Sequence, residues 1–210
     1  MELPFTISQF LEVFRQYNTA VFPIQFLFIL LAIMAIVFAV RHHRNSGRAI
    51  SAILGLLWLW MGMVYHWGFF AGINKAAYLF GAAFVAQGAL FLTQGVLYGK
   101  LKFIHKPTPA VWAGSAMMLY ALLIYPLLGY VLGHGYPDSP TFGLPCPTTI
   151  LTLGILLWLD KKPPLYLFVI PLLWSLIGTV AAVKLGIRED VGLLVSGALT
   201  VWFLVRKKPL

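Results

Sequence analysis

The sequence predicts an all-α membrane protein: a bundle of seven transmembrane helices, N-terminus outside and C-terminus cytoplasmic, preceded by a short interfacial amphipathic helix. Three observations carry this. Hydrophobic residues make up 60% of the 210-residue chain and charged residues 10%, where soluble domains hold roughly 45–50% and 25%. That much apolar surface requires lipid as its solvent. The apolar residues also fall into seven runs, most of them near the roughly 20 residues that cross a hydrocarbon core. Finally, the basic residues gather in every second connection, the pattern of a topology signal.

Residues 1–18 form the first unit. Phe10, Leu11, Val13 and Phe14 alternate with Glu12, Arg15 and Gln16, which suits a helix lying in the interface with Thr6 or Ser8 as its N-cap. The opening Met-Glu-Leu-Pro has no basic region and does not read as a signal peptide. The transmembrane domain spans 19–206, with runs at about 20–40, 49–71, 76–98, 110–133, 144–159, 164–184 and 190–205. The fifth and seventh are short, and one of them is expected to tilt less or to sit partly in a protein-lined cavity. Residues 207–210 are a basic cytoplasmic tail.

Arg41, Arg44, Arg48, Lys100, Lys102, Lys106, Lys161, Lys162, Arg206, Lys207 and Lys208 fall on one side, eleven of the fifteen Lys and Arg. Arg15, Lys75, Lys184 and Arg188 fall on the other. The first set is expected in the cytoplasm. An N-terminus outside and a C-terminus inside demand an odd number of spans, and seven fits. The net charge of +9 is thus divided among short loops, which argues against nucleic acid as a partner and for the lipid bilayer. A homo-oligomer stays open. Two segment pairs, 72–83 with 186–199 and 125–133 with 170–178, suggest three related helical hairpins after a lone first span.

Polar groups inside or beside a span are functional candidates by default. Those on the outer side are His66, Asn74, His134, Asp138, Cys146, Thr148 and Thr149. Cys146 lies between Pro145 and Pro147 where the fifth span begins, so the helix dipole would favour its thiolate; the plainer reading is a small packed cysteine. His66, His134, Asp138 and Cys146 together offer nitrogen, oxygen and sulfur ligands for a divalent or softer metal ion, without local ligand spacing. The plainer reading of His66 is an interfacial ring beside Tyr65 and Trp67, and of His134 a solvated loop residue. Glu189 and Asp190 read as carboxylates at a helix start. No carboxylate or lysine is expected at the midplane. The last run lacks a lysine for a retinal Schiff base, and only His66 lies inside a run, against a paired-histidine haem site.

Several segments, MELPFTISQF, YNTAVFP, WLWMGMVYHWGFFAGINKAAYLFG, YPLLG and HGYPDSPTFGLPCPTTI, together resemble a family of bacterial integral-membrane proteins of unknown function. The resemblance covers nearly the whole chain and implies a multi-pass protein of the bacterial inner membrane, with no activity attached. Function thus stays open between classes. One is transport or binding of a small solute or metal ion through a site on the extracytoplasmic face, formed by His66, Asn74, Asp138, Cys146, Thr148 and Thr149. Another is a membrane-embedded metal-dependent hydrolase using His66, His134 and Asp138. The last is a sensor or assembly subunit without chemistry. The balance of residues leans away from an enzyme.

Overall fold

A computed structural model describes residues 4–41, 43–104, 106–133, 135–161 and 164–206. Among them are eight helices and no strand. They are α1 (Ile7–Val21), α2 (Ile24–Arg41), α3 (Ser46–Gly72), α4 (Ala77–Leu97), α5 (Pro109–Val131), α6 (Pro145–Leu156), α7 (Tyr166–Leu185) and α8 (Val191–Arg206). Five of them, α2, α3, α4, α5 and α7, are long and apolar enough to cross a membrane. The basic tail at 207–210 lies outside the described residues.

α1 begins where the sequence places its cap. Thr6 Oγ1 accepts from the Gln9 N–H at 3.2 Å, and Gln9 Oε1 accepts from the Thr6 N–H at 2.8 Å, a reciprocal capping box. The helix runs to Val21, three residues beyond the expected interfacial segment. Val13, Phe14, Tyr17, Asn18 and Val21 face inward while Glu12, Arg15 and Gln16 stay exposed.

α2 presents a stripe of Phe28, Ala32, Ala35 and Ala39 to the bundle and leaves Phe26, Leu27, Leu30 and Ile33 outside. Small residues on the inner stripe let it approach α3 closely. Beyond α2 the helices pack as three antiparallel pairs, α3 with α4, α5 with α6, and α7 with α8. α6 is the centre: every residue of it except Cys146 is buried, and α5, α7 and α8 all pack on it. α6 falls on the short fifth apolar run of the sequence and is enclosed by protein.

Three helices widen into π-helical turns, Met61–Phe69 in α3, Leu92–Leu97 in α4 and Tyr120–Ile124 in α5. Such turns rotate the following side chains and recur at functional sites. The stretch in α3 carries Tyr65, set against Phe14 and Tyr17 of α1, and His66, set toward α4 and α7.

The two ends of the bundle differ. At one end α1 lies across the helices, bound to the 136–141 segment. The Asn18 amide donates to Pro137 O at 2.6 Å and to Ser139 O at 2.8 Å, and its oxygen accepts from Thr141 Oγ1 at 2.6 Å. At the other end the α4–α5 and α6–α7 connections pair. Ile104 N–H donates to Trp158 O at 2.8 Å and Asp160 N–H to Lys102 O at 2.9 Å.

Candidate functional site

The α1 end holds a cavity of about 430 Å³, within the range of small-molecule sites. Its walls are Phe5, Phe10 and Phe14 from α1 and its lead-in, Tyr65 and Phe70 from α3, Phe80 from α4, and Trp174 from α7. These rings contact one another, with Phe10–Phe14 centroids 4.6 Å apart and Tyr65–Phe70 stacked at 5.8 Å. Asn74, Cys146 and Asp190 supply the polar lining.

Asp190 is the centre of the polar part. It closes the 3-10 turn Arg188–Asp190 ahead of α8 and is only 5% exposed. Tyr125 donates its hydroxyl to Asp190 Oδ1 at 2.5 Å, and the Cys146 thiol lies in hydrogen-bonding reach of the same carboxyl. The turn reaches deep: Tyr120, midway along α5, donates to the Glu189 carbonyl at 2.6 Å. The Tyr125 hydroxyl and the Cys146 thiol thus both approach one buried carboxyl. No lysine or arginine among the described residues ion-pairs with it.

The helix-start reading of Glu189 and Asp190 places them correctly along the chain but not in depth. Both are buried within the protein rather than exposed at its surface. Sequence reasoning missed Asp190 as a site residue because its place at a helix start gave it an ordinary explanation. It missed Tyr125 because nothing local marks a phenol for one carboxylate 65 residues away.

Cys146 does stand at the start of α6, with Pro145 in the first turn. It shares that place with Asp190 and with the Trp174 indole N–H, which is buried beside it without a full hydrogen bond.

His66 is not an interfacial ring: it is fully buried, enclosed by Phe84 at 4.6 Å, Tyr65 and Trp174 at 5.2 Å, Phe80 at 5.9 Å and Phe70 at 6.0 Å between centroids. Neither ring nitrogen has a hydrogen-bond partner among the described residues. Asn74 lines the cavity, its Oδ1 accepting from the Ala76 N–H at 3.0 Å.

The remaining candidates do not converge there. Asp138 pairs with Arg15 through two bonds of 2.8 and 3.0 Å and lines no part of the cavity. Thr148 Oγ1 accepts from the Gly143 N–H at 3.2 Å, inside the helix packing. Thr149 is buried with its hydroxyl unpaired. His134 lies outside the described residues. Among the described residues no three His, Cys, Asp or Glu side chains gather as metal ligands: aromatic rings surround His66, and Arg15 engages Asp138. The Arg15–Asp138 pair is itself largely solvent-exposed on the arginine side, at 56%. Arg15→Gln is expected to change thermal stability by less than about 1 kcal/mol, read by calorimetry in detergent.

These features define a helical, membrane-type protein with an aromatic-lined cavity that reaches a buried carboxyl. The chain belongs to the DUF6064 family, a family of unknown function, which it matches over residues 7–209. Neither the curated proteins nor the solved structures yield a match to it.

Proposed function

We propose that the chain is a multi-pass membrane protein of the bacterial inner membrane that binds or transports a small amphipathic organic cation through the α1-end cavity. The observation that carries this reading is the aromatic-walled cavity ending on Asp190, a buried carboxyl without a cationic partner among the described residues. Aromatic faces and a carboxylate are the two groups that recognise an organic cation, and low dielectric strengthens both. A metal ion is the weaker reading, because the donors named from the sequence do not meet.

All seven helices after α1 cross the bilayer in this proposal, with α6 and α8 completed by neighbouring turns. The α1 end faces outward, since among the described residues eight Lys and Arg lie toward the opposite end against four at this one.

The test is a binding titration of purified protein with benzyltrimethylammonium, followed by tryptophan fluorescence, since Trp174 lines the cavity. The probe keeps its charge at every pH. Binding requires Asp190 as the carboxylate, so the affinity is expected to fall on acidification. Asp190→Asn should remove both the affinity and its pH dependence. Equal binding by that variant, or by the uncharged carbon analogue of the probe, would discard the cation reading.

A further inference from the structure

The opposite end carries a second recess, of about 510 Å³, between the α2–α3 connection, the start of α3 and the 98–104 segment. Arg44, Arg48, Lys102 and His43 line it, against one carboxylate, Asp160. Asp160 already faces Lys106 at 4.0 Å. Arg44, Arg48 and Lys102 have no ion pair among the described residues.

The recess is held by backbone, not by mobile side chains alone. Gly47 passes so close to the 98–104 segment that an added Cβ would lie 2.1 Å from Leu101 O. The bonds from Ile104 to Trp158 and from Asp160 to Lys102 fix the facing wall. The first turn of α3 opens onto the same space, and its N-cap residue Asn45 makes no side-chain cap. First-turn N–H groups without intrahelical partners add to the positive potential of the cations.

We infer that this recess takes a phosphate group, and that an anionic phospholipid headgroup supplies it. Two guanidinium groups suit bidentate bonding to phosphate oxygens. A recess at the basic end of a helical bundle lies at headgroup depth, where local basic residues attract anionic lipid. The inference rests on the membrane reading above but not on the cation site, so the two can fail separately.

The experiment measures the thermal unfolding midpoint of the full chain in a neutral detergent. Dioleoyl phosphatidylglycerol should raise the midpoint by several degrees and dioleoyl phosphatidylcholine should not. Arg44→Gln/Arg48→Gln should lose the rise while keeping the lipid-free midpoint, and Lys102→Gln should reduce it. Lys75→Gln, at the other end, should retain it in full. A rise that persists in the double variant overturns the site. An equal rise with inorganic phosphate assigns the recess to the free ion and overturns the lipid headgroup.

Discussion

Gly114→Ala is expected to lower the stability of the detergent-solubilised protein by about 3 kcal/mol, the upper part of the usual range for overpacking. α5 and α6 cross backbone to backbone at Gly114 and Gly154. A Cβ on Gly114 would lie 2.4 Å from Gly154 O and 3.0 Å from two atoms of the Trp158 indole. The first obstacle is main chain, and the second is a ring fixed by its bond from Nε1 to Val111 O at 2.9 Å. Neither swings aside as a flexible side chain would. Relief therefore requires shifting α6, which is packed along nearly its whole length. Gly72→Ala is the control, since nothing lies within 4 Å of its added Cβ. Thermal unfolding followed by tryptophan fluorescence separates the two variants. Coincident melting of Gly114→Ala and wild type would show that the crossing yields without cost.

His66→Met is expected to act in the opposite direction, raising stability by about 1–2 kcal/mol, the desolvation cost of a buried polar group left without a partner. The imidazole sits among five aromatic rings with both nitrogens unpartnered among the described residues. Methionine has similar volume, bends to fit an irregular space, and makes favourable sulfur–aromatic contacts. A fold selected for stability alone would hold such a residue. Chemical denaturation of the two proteins in the same detergent gives the sign directly. A loss of stability on substitution would reveal a hydrogen bond at the imidazole and remove the argument for an unsatisfied ring.

Hydropathy made the course of the chain legible. The run at 49–71 became Ser46–Gly72, the run at 76–98 became Ala77–Leu97, and the run at 110–133 became Pro109–Val131. Each boundary falls within a few residues because lipid imposes one simple rule on a helix, length of apolar chain. The Thr6 cap and the proline start of α6 were equally legible, since both are local chemistry.

The site was half legible. His66, Asn74 and Cys146 stood out as polar groups near one end, and all three lie at or beside the cavity. Asp138 stood out for the same reason and was bound to Arg15, 123 residues earlier, a pairing no spacing rule contains. Asp190 did not stand out, because its burial depends on how deep the turn ahead of α8 sinks against Tyr120 and Tyr125. Depth of that kind is a property of packing between helices and leaves no periodicity in either one.

The enclosure of α6 has a consequence for how the protein is assembled. Two of its three threonine hydroxyls are served within the protein: Thr148 accepts from the Gly143 N–H at 3.2 Å, and Thr152 accepts from the Trp58 indole at 3.0 Å and donates to Thr148 O at 2.8 Å. Its twelve residues cannot reach across a hydrocarbon layer unaided. α6 therefore has its sister helices, and not lipid, as its surroundings, and reaches its final state only as α5, α7 and α8 close round it. The two helices to its C-terminal side, α7 and α8, leave the ribosome after it. Biogenesis of this bundle thus includes sheathing a helix that the bilayer alone would not keep.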